Sequence, residues 1–78
     1  MNELLKRITF DANIFGGKPI IRGMRISVEM ILDLLSQGAT IEELLEDYPT
    51  LEADDIRACL AYAKTVIASE DVEVYTTA

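Results

Sequence analysis

Residues 28–67 repeat apolar side chains with the period of an α-helix, and the breaks in that repeat decide how the chain can fold. Val28, Ile31, Leu32 and Leu35 fall at i, i+3, i+4 and i+7, on one face of a helix. Ser27 is a good acceptor for the exposed amides at its start, and Gly38 suits the left-handed position past its end. Thr40-Ile41-Glu42-Glu43 matches a capping box, in which the threonine and the glutamate three residues later satisfy each other's backbone donors. Ile41, Leu44 and Leu45 stripe a second helix, kept short because Pro49 disfavours helical backbone at Tyr48 and has no amide proton. A third helix is expected from about Glu52 to about Ala68. Glu52, Asp54 and Asp55 complement its positive amino-terminal end, and Ile56, Cys59, Leu60, Ala63, Val66 and Ile67 form one stripe, with Tyr62 off its centre.

The segment before the helices has a different pattern. Ile8-Thr9-Phe10 alternates briefly and runs into Asp11-Ala12-Asn13, a short strand and a turn. Ile20-Ile21 and Arg25-Ile26 flank Gly23 as two short extended pieces around a tight corner. The expected fold class is mainly α: a three-helix, homeodomain-like or helix-turn-helix domain with a short N-terminal β-strand arm. The turn Tyr48-Pro49-Thr50-Leu51 has about the length that plan requires. A single domain over 1–78 divides into a strand-and-loop basic arm (1–26), a three-helix body (27–68) and a tail (69–78), where Val72 and Val74 alternate with Glu73 and Tyr75.

Charge divides the chain along similar lines. Residues 1–28 carry five basic side chains against two acidic ones, and residues 29–78 carry two against twelve, for a net charge of −7. Histidine is absent and the single Cys59 lies on the core stripe, so the commonest general base and the thiolate nucleophile are both missing, and an enzyme is not expected. Gly16-Gly17-Lys18 lacks the spacing and the following hydroxyl of a phosphate-binding loop. Glu42, Glu43, Glu46 and Asp47 read as the solvated face of a short helix. No cofactor or metal is implied. One cysteine excludes an intrachain disulfide, and no apolar run approaches the roughly 20 residues needed to span a bilayer, so a cytoplasmic location and no membrane partner are expected. A core this small leaves apolar surface uncovered, which points to a homodimer.

Two readings of the basic arm stay open. Lys18, Arg22 and Arg25, with Arg57 on the third helix, can meet DNA phosphates, although Asp54 and Asp55 disfavour docking by the third helix itself. Alternatively, Lys18, Arg22 and Arg25 form salt bridges that hold the arm against the acidic helices.

One family combines these motifs. Ile8-Thr9-Phe10-Asp11, Gly17-Lys18-Pro19-Ile20-Ile21-Arg22-Gly23, Arg25-Ile26-Ser27-Val28, Leu35 with Gly38, Glu43, Tyr48-Pro49-Thr50-Leu51, and Asp55-Ile56 with Ala61-Tyr62-Ala63 resemble the bacterial and archaeal DUF433 family over roughly residues 8–66. Ala12 and Met24 depart from its usual proline and threonine, and Glu52 from a frequent threonine. The resemblance implies a homeodomain-like fold and the role of antitoxin in a type II toxin–antitoxin pair, beside a PIN-like ribonuclease. On that reading Glu70, Asp71, Glu73 and Tyr75 cover the basic surface of the toxin, and operator DNA is a second partner. The alternative is a protein–protein interaction adaptor that binds no nucleic acid.

Overall fold

The computed structural model describes residues 3–69. A 3-10 helix, Glu3–Arg7, leads directly into β1 (Ile8–Thr9), and a second 3-10 turn over Phe15–Gly17 leads towards β2 (Ile20–Ile21). Three α-helices follow: α1 (Val28–Ser36), α2 (Ile41–Asp47) and α3 (Ala53–Ser69). The described chain is mainly helical, with a two-stranded antiparallel sheet at its amino-terminal end.

The sheet pairs Ile8 with Ile21 and Thr9 with Ile20. Arg22 N–H donates to the Arg7 carbonyl at 2.8 Å, which carries the ladder one residue further. On the other side, Ile21 N–H donates to the Ile26 carbonyl at 3.0 Å and Val28 N–H to the Pro19 carbonyl at 3.0 Å, so the arm feeds straight into the first turn of α1. Of the two extended pieces expected around Gly23, Ile20-Ile21 forms a strand, whereas Arg25 lies in a bend and the returning chain makes only an isolated bridge, Ser27 with Ile20. Arg22 itself takes a positive φ of 43°, a conformation uncommon for a residue with a side chain. The strand supplies few bonds of its own, so its place depends on what its side chains meet.

Those side chains meet the helices. Ile8, Ile21, Val28, Ile31, Leu44, Leu51, Ile56, Ala58 and Cys59 form one buried cluster, drawn from the sheet and from all three helices. Leu4 packs against it from the first 3-10 helix, which lies along α3.

Helix ends follow the local chemistry. Ser27 Oγ accepts from Met30 N–H at 3.0 Å at the start of α1. Thr40 and Glu43 form both halves of the capping box of α2, at 3.1 and 2.8 Å. Gly38, at φ 102°, reverses the chain between α1 and α2, a backbone angle that strains any residue with a Cβ. Tyr48 ends α2, one residue before Pro49, and Leu51 N–H returns to the Tyr48 carbonyl at 2.9 Å to shape the turn into α3.

The expected stripe of α3 is covered only along its first half. Ile56 and Cys59 are buried, whereas Leu60 is 49% exposed, Val66 38% and Ile67 59%. Val28 and Leu32 of α1 and Leu5 of the first 3-10 helix border its last turns without burying them. No helix among the described residues is long and apolar enough to cross a membrane.

Candidate functional site

Asp55 is the one fully buried charged residue of the described chain, and its surroundings explain how it is tolerated. It stands three residues into α3, where its Oδ2 accepts from Glu52 N–H at 2.8 Å and closes the helix start. Arg22 from the end of β2 grips it with two parallel bonds, Nε to Oδ1 at 3.0 Å and Nη2 to Oδ2 at 2.7 Å. Arg7, one residue before β1, adds Nη1 to Oδ1 at 3.0 Å. A carboxylate buried among apolar side chains is expensive unless each oxygen is satisfied, and here both accept two bonds.

The cluster extends to the surface. Arg7 Nη1 also donates to Glu52 Oε1 at 2.7 Å, and Nη2 lies 3.9 Å from Asp54 Oδ2. Arg22 Nη2 donates to the Thr50 carbonyl at 2.9 Å, tying the α2–α3 turn to the same guanidinium. Both strands of the arm are thus pinned to the amino-terminal end of α3 by one carboxylate.

Burial by itself raises the Asp55 pKa, but the hydrogen bonds from Arg22, the Glu52 amide and Arg7 outweigh it and leave the carboxyl below its ordinary value. The same contacts raise the guanidinium pKa of both arginines, for Arg7 through Glu52 first and for Arg22 through Asp55 first.

Cys59 lies one helical turn beyond Asp55 and is fully buried. Burial, with a smaller contribution from the Asp55 charge, pushes its thiol up to about 12. The thiol is expected to resist an aromatic disulfide reagent at pH 8 in the folded protein and to react within minutes once urea unfolds it. Fast labelling without denaturant would contradict the packing of α3 described here.

The basic residues singled out by sequence are distributed as follows. Lys18 lies 3.1 Å from Glu29 of α1, both side chains largely in water. Arg22 holds Asp55, and Arg57 pairs with Asp54 one turn away on α3 at 3.1 Å. Arg25 is exposed and makes no ion pair among the described residues. These four residues are not gathered on one shared contact. Glu42, Glu43, Glu46 and Asp47 lie exposed on α2. Glu70, Asp71, Glu73 and Tyr75 lie outside the described residues.

Arg7 entered the sequence reading only as one of the arm's charges, and Asp55 as a carboxylate at the start of the third helix and part of a family motif, not as the partner of either arginine. The signal was present: Asp55, Cys59 and Tyr62 follow i, i+4 and i+7, which puts a carboxylate in phase with the core face of α3 and calls for a cationic partner.

Residues 8–63 match the family described as a protein of unknown function, DUF433. The chain belongs to the DUF433 family. That match covers the sheet, the three-helix core and the Arg22–Asp55 pair. A curated relative, the uncharacterized protein y4eO of Sinorhizobium fredii (strain NBRC 101917 / NGR234), is 35% identical over 57 residues, 73% of this chain and 26% of the relative. This DUF433 chain therefore spans about a quarter of the length of the curated relative it matches. The crystal structure of a DUF433 member protein from Anabaena variabilis ATCC 29413 superposes with a TM-score of 0.72 at 36% identity, covering 76% of this chain and 58% of the other.

Proposed function

We propose that this DUF433 protein is a small binding module that neutralises a basic protein partner, in the manner of the antitoxin of a PIN-like ribonuclease, and that it binds rather than catalyses. The observation that carries this reading is the use of the arm's cations. Four of the five, Lys6, Arg7, Lys18 and Arg22, pair with carboxylates of the same chain, while Glu42, Glu46 and Asp47 of α2 make no ion pair among the described residues. The accessible field is therefore acidic, which suits a cationic surface such as one that binds RNA and repels a phosphate backbone. Glu70, Asp71 and Glu73 extend that acidic character along the sequence, and they and Tyr75 are proposed to contact the partner.

The body is read as homeodomain-like, supported by three consecutive helices with α2 and α3 joined by the short turn 48–52. Operator DNA enters as a second role, with Arg25 as its first contact and Lys18, Arg22 and Arg57 free to contribute only where their carboxylate partners release them. A homodimer and a cytoplasmic setting complete the proposal.

The test is co-expression with a PIN-like ribonuclease encoded next to it. A stable complex and restored growth support the reading. Separate elution of the two proteins together with continued growth arrest contradicts it, and leaves the adaptor reading.

A further inference from the structure

An apolar groove of about 300 Å³ opens between α1 and the last turns of α3, walled by Val28 and Leu32 on one side and by Tyr62, Ala63, Val66 and Ile67 on the other. Leu60 continues that wall, since Leu60, Ala63 and Ile67 follow i, i+3 and i+7 on one face of α3. Beyond Tyr62, the Phe10 ring lies 6.2 Å away between centroids and is itself exposed. Four of the five large apolar side chains exposed among the described residues, Phe10, Leu60, Val66 and Ile67, therefore gather around this one groove. A contiguous apolar face marks a contact surface, whereas apolar side chains scattered singly do not.

We propose that a second copy of this chain covers the groove, with the two α3 helices antiparallel about a two-fold axis near Ala63, a placement that rests on the homodimer of the functional reading and adds the surface it uses. Charge selects the occupant. Each chain carries −7, so two copies repel except where neither brings an uncompensated charge. The acidic face of α2 fails that condition and suits a cationic partner instead. The groove has one carboxylate, Glu29, and Lys18 already matches it at 3.1 Å. Both side chains are largely in water, so each copy presents one charge of either sign at the rim.

The spacing of the wall fits a two-fold contact, in which residue i of one copy meets j of the other and j meets i. About an axis at Ala63, Leu60 of each copy lies opposite Val66 of the other, three residues to either side, and the alanine between them is the smallest side chain of the wall. Packed helices stand about 8–10 Å apart axis to axis, and with Cα atoms at a radius of about 2.3 Å the two Ala63 Cα atoms then approach to about 5 Å. A stable contact takes roughly 800 Å² from each partner; the groove supplies its centre, and Phe10, Leu60 and Ile67 carry the apolar face outward from it.

The experiment compares sedimentation of the full chain with that of Ile67→Asp and adds cysteine cross-linking. The wild type is expected at twice the chain mass of 8.7 kDa at micromolar concentration. Ile67 is exposed, so the aspartate leaves the fold and its circular dichroism unchanged, and it raises the dimer dissociation constant by about tenfold or more because the contact would bury an unpaired charge. Mild oxidation with diamide is expected to link Ala63→Cys into a covalent dimer, since about 5 Å between Cα atoms suits a disulfide. Ala61→Cys, on the opposite side of α3 beside Leu5, is expected to stay unlinked, and the buried Cys59 supplies no background. A wild-type dimer that survives Ile67→Asp and links Ala63→Cys no faster than Ala61→Cys would overturn the proposal and leave the homodimer to another face. A monomeric wild type would overturn both the placement and the homodimer. Neither outcome bears on neutralisation of a ribonuclease, which growth rescue reads separately.

Discussion

Replacing Asp55 with alanine is expected to cost about 2–4 kcal/mol of folding stability, a large share of the ~4–12 kcal/mol typical of a chain this long. Removing the carboxylate leaves Arg22 and Arg7 facing each other beside the core and leaves the Glu52 amide without its acceptor. Part of the cost is relieved because both guanidinium groups are partly in water and can turn outward, which keeps the estimate below that for a wholly buried ion pair. For a domain of this size the change corresponds to a fall in Tm of roughly 10–25 °C. Calorimetry or urea unfolding reads it directly.

The same residue sets an acid limit. Its folded-state pKa is depressed, so its contribution is complete above the unfolded carboxyl value of about 3.9 and is lost as pH falls through the lower folded value. Stability from Asp55 is therefore flat from about pH 5 upward and declines below about pH 4. In Asp55→Asn the folded protein starts from a lower stability at neutral pH, and its acid decline is shallower. An unchanged acid limb would mean that other carboxylates set it.

The second large effect is expected at Ile21. This side chain is fully buried, lies opposite Ile8 in the sheet and joins the cluster made by all three helices. Ile21→Ala should cost about 2–5 kcal/mol, through lost transfer energy and a cavity between the arm and the helices, and Ile21→Val only about 1 kcal/mol. If the arm were a loosely attached extension, Ile21→Ala would leave the urea midpoint nearly unchanged. Hydrogen exchange in the variant should rise first at the amides of Ile21 and Arg22, which bond Ile26 and Arg7.

The helical body was legible because its punctuation is local. Ser27, Thr40 with Glu43, Gly38 and Pro49 each act within a few residues of themselves, and the structure places helix ends where those residues stand. The Glu3–Arg7 helix was not foreseen, since its Leu4 and Leu5 show no period by themselves and are ordered by packing along α3, about fifty residues away. The end of α3 was overread for the converse reason. Leu60 and Ile67 keep the helical period of a buried stripe, but a period reports which face is apolar and not what covers it. The Arg22–Asp55 pair sits between these cases: salt bridging by the arm was one of two open readings, while the particular carboxylate depended on how α3 is turned.

That pair also bears on how the basic arm is understood. Charge counting along the sequence makes residues 1–28 look like a cationic surface, yet Arg7 and Arg22 are turned onto Asp55, and Lys6 and Lys18 pair with carboxylates at the surface. The arm reads as a strap across the start of α3, and Arg25 as its one cation without an ion pair among the described residues.

Arg22 serves Asp55, and a double-mutant cycle reads the coupling between them. Urea unfolding of the wild type, Arg22→Ala, Asp55→Ala and the double variant should give a coupling energy of about 1–2 kcal/mol, so that the second substitution costs clearly less once the first is made. Additive costs, or an Arg22→Ala variant as stable as the wild type, would break the assignment of Arg22 to Asp55 and return Arg22 to the surface as a free cation.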